Sequence, residues 1–228
     1  MTTPDEGFWA HLGAREQALV LAVAHERRVG AGRRLLYEGQ RGPSLVLITR
    51  GRVKITSLTI DGEERLLALR GAGDLLGEMA GLSGCPRTAT VTAIDDVSAL
   101  VLPSDQFERL WRTEPKILSA LVHALIQRVA AADQARIELI DDAPVRVRRL
   151  LSDLVDRFSV PEPGGGRRID ISLTQEELAG LVFTSRGVVA TVLRELREQG
   201  LVRTGRRELV ITDADALRRT VPSDDQAA

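Results

Sequence analysis

Short β-rich runs separated by glycines occupy the chain from Arg28 to Leu102. They are Leu45–Thr49, Gly51–Thr59, Arg65–Leu69, Thr88–Ala93 and Ser98–Leu102. Between the second and third of these runs stands Asp61–Gly62, a dipeptide that directly indicates a β-hairpin. Strands at such even spacing predict a β-barrel or sandwich. A short helix from Glu16 to Glu26 is predicted in front of them.

Helical periodicity replaces the β pattern after Pro103 and continues to about Asp142. Its apolar seam recurs every seven residues, at Leu118, Leu125, Ala132 and Leu139, with Val122 and Val129 between them. A seam of this kind predicts a long helix that pairs with the same helix of a second copy. Packing of the seam against the barrel of its own chain remains an alternative, because the alanine-rich positions make a weak zipper.

The segment Asp141–Pro144 interrupts the helical pattern and predicts a hinge. Aspartate favours helix N-caps, and proline is tolerated only in the first helical turn. The pattern beyond it predicts a helix at Arg146–Phe158, a strand at Arg168–Ile171, helices at Gln175–Leu181 and Ser185–Glu198, and a hairpin of Val202–Thr204 and Glu208–Ile211. That is the element order of a winged helix-turn-helix. We therefore expect a sensor domain over residues 1–114, a dimerisation helix and hinge over 115–144, and a DNA-binding domain over 145–228.

A helix-turn-helix pattern extends over residues 173–196. Thr174, with Glu177 three residues later, predicts a capping box, and Ser185 predicts the N-cap of the second helix. Arg186 is the leading candidate for reading a base, because arginine paired with guanine is the commonest specific contact. The full predicted DNA-contact set is Thr174, Gln175, Thr184, Ser185, Arg186, Gly187, Val188, Thr191, and the wing arginines Arg203, Arg206 and Arg207.

The distribution of charge changes this picture little but agrees with it. The chain has a formal net charge of −1, whereas residues 145–220 hold 14 arginines against 11 acidic residues. A weakly basic C-terminal part suits contact with DNA phosphates. We found no run of about 18 apolar residues that could span a bilayer, so the chain is expected to be cytoplasmic and without a membrane partner.

Two short segments, Gly77–Ala80 and Pro86–Ala89, carry the most informative chemistry of the first half. A cyclic phosphodiester needs a closely approaching backbone, a fixed cation for the anionic oxygens and an acceptor for the ribose hydroxyl. Gly77 permits the close approach, and Arg87 can donate two parallel hydrogen bonds to a phosphate. Glu78 can accept a hydrogen bond from the ribose hydroxyl. Thr88 adds a hydroxyl and an N–H group. The alternative is a simple internal ion pair between Glu78 and Arg87.

These two segments, Gly77–Ala80 and Pro86–Ala89, together form what we call the cassette. The cassette and the motifs around it resemble the cyclic-nucleotide-binding domain of the cyclic AMP receptor (CRP/FNR) family. The residues that carry the resemblance are Gly73–Glu78, Pro86–Ala89, Tyr37–Gly39 and Leu47–Gly51. The resemblance extends from about Arg28 to Thr220. It implies an α+β fold with an N-terminal nucleotide-binding β-barrel of the double-stranded β-helix (jelly-roll) type, a long central dimerisation helix and a C-terminal winged helix-turn-helix.

The function implied by this resemblance is transcription regulation by a homodimer. The regulator would bind double-stranded DNA under the control of a cyclic nucleotide, with RNA polymerase as a candidate partner. It would not be an enzyme, and it would need no cofactor beyond its effector. The ligand-binding set implied by the resemblance is Gly77, Glu78, Met79, Ala80, Arg87, Thr88, Gln127, Ala130, Ala131 and Gln134.

The sequence departs from the family at the position where the adenine edge is read. Members that respond to cyclic AMP have polar side chains there, including a hydroxyl pair, whereas our alignment places Ala130 and Ala131 at these positions. Three interpretations stay open, and we prefer the first: cyclic AMP held through its sugar and phosphate, cyclic GMP or another nucleotide, or regulation without a ligand. Gln127, Asp133 and Gln134 are the nearby polar candidates.

A second departure lies in the recognition helix. The family commonly has Arg-Glu at positions 186–187 and arginine at 191, whereas this chain has Gly187 and Thr191. The usual family operator is therefore not expected. Because Gly187 replaces the family's glutamate, the carboxylate that would contact cytosine is absent, and Thr191 can contact a thymine methyl group.

Other effectors and activities are disfavoured by residue chemistry. An iron–sulfur cluster needs several cysteines, and this chain has one. A heme needs an axial ligand, yet none of the three histidines lies in the cassette. A hydrolase for cyclic nucleotides would need a metal cluster or a paired general acid and base, and the sequence offers neither pattern.

Overall fold

The chain divides into two compact units, one ending at Ala131 and the other beginning at Ala132. The structure, a computed structural model, describes residues 7–163, 165–205 and 208–221. Each unit has its own sheets and its own core.

The part of the first unit that the structure describes contains eight strands. These are β1 (His25–Val29), β2 (Arg34–Leu36), β3 (Ser44–Arg50), β4 (Val53–Leu58), β5 (Glu64–Arg70), β6 (Leu75–Leu76), β7 (Thr90–Ala93) and β8 (Val97–Pro103). They form two antiparallel sheets with the strand orders β1-β8-β3-β6 and β2-β7-β4-β5. The predicted β architecture is confirmed, and the Asp61–Gly62 turn does join β4 to β5.

Helices of this unit are α1 (Ala14–Val23), α2 (Glu78–Ser83) and α3 (Ser104–Thr113), preceded by a 3-10 turn at Phe8–His11. The predicted first helix is too long at its C-terminal end, because residues from His25 onward pair with β8. The first core packs sheet residues such as Leu45 and Leu102 against Phe8, Phe107 and Ile117. A second core lies between the sheets and is rich in valine.

The long helical region predicted after Pro103 is two α-helices and a 3-10 turn. The chain leaves α3 after Thr113, α4 runs from Pro115 to Ile137, and the 3-10 turn covers Glu138–Ile140. Proline is well placed as the first residue of a helix, because its missing N–H would have no partner there. Buried α4 residues in the first core are Ile117, Ala120, Leu121 and Ala124.

The predicted seam of α4 is mostly exposed. Leu118 is 37% exposed, Val122 43% and Val129 61%, while Leu125 packs partly against the first core. The alternative in which this seam covers the barrel of its own chain therefore holds only for Leu125.

The described residues of the second unit include the end of α4, four further α-helices and one small sheet. Its elements are α5 (Ala143–Phe158), β9 (Ser159–Pro161), β10 (Arg167–Ile169), α6 (Gln175–Leu181), α7 (Arg186–Glu198), β11 (Val202–Gly205), β12 (Glu208–Ile211) and α8 (Ala214–Arg219). The strand order is β11-β12-β10-β9. The winged helix-turn-helix is confirmed. Sequence reasoning missed β9, whose Pro161 is tolerated because the strand lies at the sheet edge.

The hinge, Asp141–Pro144, begins α5 in a way that differs from the prediction. Asp142 occupies the N-cap position, but among the described residues no side chain makes a capping bond to α5. The Asp141 carboxylate instead pairs with Arg149, with Nη1 and Oδ2 2.6 Å apart.

Within the described ranges, no helix is both long and apolar enough to cross a membrane.

Candidate ligand pocket and nucleic-acid interface

Gly77 joins β6 to α2 in a conformation that favours glycine. Its φ is +76°, in the left-handed region. A Cβ atom at this position would lie 2.1 Å from Nη1 of Arg87. The backbone and the guanidinium therefore approach so closely that no side chain fits between them.

Arg87 is buried, with 6% of its surface exposed. Its Nη1 donates to the Gly77 carbonyl at 2.7 Å, and its Nη2 donates to the carbonyls of Ser44 at 2.6 Å and Gly42 at 3.2 Å. Burial lowers the pKa of this guanidinium, and the Glu78 carboxylate partly opposes the shift. These carbonyls accept hydrogen bonds from Nη1 and Nη2 but do not neutralise the charge, so the group provides a fixed positive centre for an anion.

Glu78, 8% exposed, pairs with Arg128 of α4. Arg128 Nη1 lies 2.8 Å from Glu78 Oε1. The same guanidinium donates to the Leu75 carbonyl and lies 3.9 Å from the Asp74 carboxylate. The alternative of an internal Glu78–Arg87 pair is thus wrong, because Arg128 takes the carboxylate and leaves Arg87 to the backbone.

Sequence reasoning missed Arg128, although a signal was present. The buried face of α4 includes Ile117, Leu121 and Ala124. Residues three or four apart share a helix face, so Arg128 continues this face by one more turn. A cation at the end of an apolar face directed at the domain core predicts a buried acidic partner.

The other predicted ligand contacts fall into two groups. Ala80 is buried beside Glu78 in α2, whereas Met79 is 58% exposed and Thr88 is exposed. The contacts predicted on α4 are all exposed: Gln127, Ala130, Ala131 and Gln134. Gln134 belongs to the second unit and donates to Glu138 at 3.3 Å. The structure therefore brings together Gly77, Glu78 and Arg87, and leaves the base-reading candidates on an exposed surface.

The helix-turn-helix begins with the predicted capping box. The Glu177 N–H donates to Oγ1 of Thr174 at 3.1 Å, and the Thr174 N–H donates to the Glu177 carboxylate at 2.8 Å. Ser185 accepts from the Val188 N–H at 3.4 Å and so caps α7. Both capping predictions are confirmed.

The exposed face of α7 carries the predicted base-reading residues. Arg186, Gly187 and Thr191 are exposed, whereas Val188 is half-buried. The opposite face is buried through Val189, Val192, Leu193 and Leu196. An amphipathic helix with a capped start and a polar outer face suits insertion into a major groove.

Around α7, the remaining predicted contacts differ in exposure. Thr174, Ser185 and Arg203 are exposed, while Gln175 and Thr184 are half-buried. The wing residues Arg206 and Arg207 lie outside the described residues. Sequence reasoning missed Arg194, which is exposed and lies three residues after Thr191 on α7. Residues three apart share a helix face, and this spacing is the signal that could have found it.

Both halves of the chain match known protein families. Residues 26–114 match the family described as Cyclic nucleotide-binding domain, and residues 145–220 match the Crp-like helix-turn-helix domain. Arg87 and the exposed face of α7 fall within these two regions.

Two curated relatives match most of the chain. A CRP-like cAMP-activated global transcriptional regulator of Mycobacterium tuberculosis is 34% identical over 189 residues, covering 82% of this chain and 84% of the relative. The Cyclic AMP receptor protein of Thermus thermophilus is 31% identical over 208 residues, covering 90% and 92%.

Solved structures agree with the fold. The Catabolite Activator Protein of Thermus thermophilus matches at 30% identity with a TM-score of 0.53, covering 96% of this chain and 98% of that one. The c-di-GMP responsive regulator CLP of Xanthomonas campestris matches at 24% identity with a TM-score of 0.77, covering 88% and 100%. At that identity the likeness concerns the fold alone.

Proposed function

Since the chain belongs to the CRP/FNR family of DNA-binding transcription regulators, which are not enzymes, we propose that it is a homodimeric, sequence-specific regulator controlled by cyclic AMP. The proposal concerns three features beyond family membership: the nucleotide, the residues that hold it and the assembly. The curated relatives support the first, and the buried Arg87 guanidinium supports the second.

Arg87 suits the phosphate of a cyclic nucleotide. Its guanidinium is buried among carbonyl oxygens, and an anion brought beside it would supply the countercharge that carbonyls lack. The Gly77 backbone approaches the guanidinium, so a phosphate there could also accept from the backbone N–H groups that begin α2. Glu78, held by Arg128, would accept the ribose 2′-hydroxyl.

Cyclic AMP is favoured over other nucleotides by the relatives. The two curated relatives described above are named for cyclic AMP, at 34% and 31% identity. The fold alone does not select a ligand, because CLP shares it and is described as responsive to c-di-GMP. The phosphate and ribose contacts on the chain itself serve any cyclic mononucleotide.

A second candidate is regulation by cyclic GMP or another nucleotide, or without any ligand. Ala130 and Ala131 favour it, because an alanine side chain offers no hydrogen bond to a base edge. On the first candidate, by contrast, cyclic AMP would be held by its sugar and phosphate, with little discrimination at the base.

The homodimer would form through α4. Its exposed seam includes Leu118, Val122 and Val129, and the same helix exposes Ile126 at 60%. A row of exposed apolar side chains over three helical turns is stabilised by packing against a second copy. The pairing would also bring the exposed Ala130 and Ala131 of each copy towards the partner.

On this proposal residues 1–114 sense the nucleotide, 115–144 form the dimerisation helix and hinge, and 145–228 bind DNA. Arg186 would read a base, while Arg203, Arg206 and Arg207 would contact phosphates. Two recognition helices about 34 Å apart would enter successive major grooves. RNA polymerase is the partner through which such a dimer would act at a promoter.

Calorimetric titration of the full-length chain with cyclic AMP, cyclic GMP and c-di-GMP tests the nucleotide. We expect cyclic AMP to bind one site per chain. Gel-shift titrations with and without cyclic AMP test whether the nucleotide regulates DNA binding. They use a duplex that the protein selects from a random pool. Equal DNA affinity in the two conditions would contradict regulation by cyclic AMP and favour the ligand-independent candidate.

A further inference from the structure

A single side chain, Arg146, joins the hinge to the turn of the helix-turn-helix. Its Nη1 donates to the Asp141 carbonyl at 2.6 Å, its Nε to the Val182 carbonyl at 3.0 Å and its Nη2 to the Phe183 carbonyl at 3.2 Å. Asp141 follows the 3-10 turn, whereas Val182 and Phe183 follow α6. One planar guanidinium therefore spans two segments that are about 40 residues apart in the chain.

The turn that Arg146 grips has an unfavourable backbone conformation. Among the described residues other than glycine, Phe183 alone has a positive φ, +51°. A bulky residue is disfavoured in the left-handed region. Its side chain is 60% exposed, so burial of the ring offsets little of this cost. The hydrogen bonds to the turn therefore have to hold it, and two of them come from Arg146.

The position of this turn sets where the DNA-reading helix begins. The Phe183 N–H donates to the Gly180 carbonyl and the Thr184 N–H to the Ala179 carbonyl, which closes α6. Ser185 follows immediately and caps α7. Any movement of the turn thus moves the start of α7 and the side chain of Arg186.

The other end of the link is equally well anchored. Asp141 is held at its carbonyl by Arg146 and at its carboxylate by Arg149, one helical turn further along α5. Buried Val147 and Leu151 fix α5 in the core of the unit. The chain at Asp141 is thereby attached to a rigid helix that also contacts the helix-turn-helix.

We infer that Arg146 is a positioning residue that couples the hinge to the DNA-reading helix. A change in chain direction at Asp141 displaces the acceptor of Nη1, and the same guanidinium transmits the displacement to Val182 and Phe183. The inference rests on the proposed function only in that α7 reads DNA. The link itself is made only of hydrogen bonds between residues of this chain.

Hydrogen exchange on the full-length chain, without ligand or DNA, tests the link directly. In Arg146→Gln we expect the amides of Asp141, Phe183 and Thr184 to exchange about tenfold faster or more, and to change together. Arg146→Lys, which keeps the charge but lacks the planar fork, should give the same pattern with a smaller change. Arg148→Gln is the matched control, because Arg148 pairs with Glu195 of α7 and should leave these amides unchanged. A change at the hinge alone, at the turn alone or at neither would overturn the inference.

A double-mutant cycle tests whether the link acts through the strained turn. Arg146→Gln should weaken binding to a duplex selected by the wild-type chain by about tenfold. In the Phe183→Gly background the same change should cost less than about threefold, since glycine adopts the left-handed conformation without help. Equal losses in the two backgrounds would overturn the inference. Failure of the wild-type chain to select any sequence would instead refute the proposed function, while the exchange experiment would still decide the role of Arg146.

Discussion

Arg128 Nη1 lies 2.8 Å from Glu78 Oε1, and this contact joins the long helix α4 to the nucleotide cassette. The side chains are largely buried, at 22% and 11% exposure. The carboxylate that would accept a ribose hydroxyl is therefore oriented by a helix whose exposed face is proposed to form the dimer. On the proposed function, ligand contact and dimer geometry would therefore depend on one ion pair.

Breaking this pair should destabilise the first unit. Arg128→Ala leaves Glu78 charged and nearly buried, and we expect a loss of about 1–3 kcal/mol at pH 7, below the value for a fully buried pair because Arg128 is partly solvated. Urea unfolding followed by circular dichroism measures it. The double variant Glu78→Gln/Arg128→Ala should recover part of the loss. Arg109→Ala, which breaks an exposed pair with Asp105, should change stability by less than about 0.5 kcal/mol.

Arg87→Ala should abolish most nucleotide affinity. Charge-assisted hydrogen bonds contribute about 1.5–3 kcal/mol each, so loss of a forked contact should weaken binding by roughly 100-fold or more. Calorimetry with cyclic AMP measures the change, and thermal unfolding checks that the variant folds. Arg87→Lys, which retains a charge, should bind better than Arg87→Ala. Equal affinity in wild type and Arg87→Ala would place the phosphate elsewhere.

Charge in the α4 seam should dissociate the dimer. Val129→Glu places a carboxylate in the apolar row, and two copies would bury it twice. Light scattering after size exclusion should then give a mass near the 24.9 kDa of one chain. Lys116→Gln, also on α4, is the control, and light scattering should still give the mass of a dimer for it. A dimeric Val129→Glu would show that the copies pair through another surface.

Two arginines of the second unit should have separable effects on DNA binding. Arg186→Ala should cost about 1–3 kcal/mol on the selected duplex and relax the preference at one base pair. Arg203→Ala should weaken binding to all sequences alike and reduce the salt slope by about 1. Gel shifts on matched and mutated duplexes over a salt series distinguish the two. Identical specificity profiles for the two variants would contradict the assignment of Arg186 as the base reader.

Asp153 of α5 should make stability fall as the pH rises through the acidic range. Neighbouring protein atoms partly desolvate the exposed Asp153 side chain and, with a contribution from the Glu138 carboxylate, raise its pKa above 3.8. A carboxyl whose folded pKa is raised binds its proton more tightly in the folded state, so ionisation destabilises the fold above that range. Asp153→Asn should therefore stabilise the second unit at pH 7, and the gain should disappear below about pH 3.8. Thermal unfolding at both pH values measures it; a gain independent of pH would exclude this cause.

Much of this fold could be predicted, because local signals and tertiary contacts agree over most of the chain. The capping box at Thr174 and the Asp61–Gly62 turn depend on neighbours within four residues, so the sequence alone predicts them. The extent of the second unit's sheet was harder, since β9 is held by pairing with β10 rather than by its own pattern.

The candidate site could be predicted only in part. Gly77, Glu78 and Arg87 stand close in sequence and come together, whereas Arg128 joins them from 50 residues away. Which cation takes the Glu78 carboxylate depends on the packing of α4 against the sheets. Arg87 is nearer to Glu78 in sequence than Arg128 is, so the sequence alone suggests a Glu78–Arg87 pair. Only the structure shows that Arg128 binds the Glu78 carboxylate.

Position 77 tolerates almost no residue other than glycine. Its backbone conformation disfavours every other residue, and separately the Arg87 guanidinium fills the space a methyl group would need. Loss of the arginine would remove only the second obstacle. A saturation library selected for folded protein should therefore return glycine codons at position 77, even among clones that have already lost Arg87.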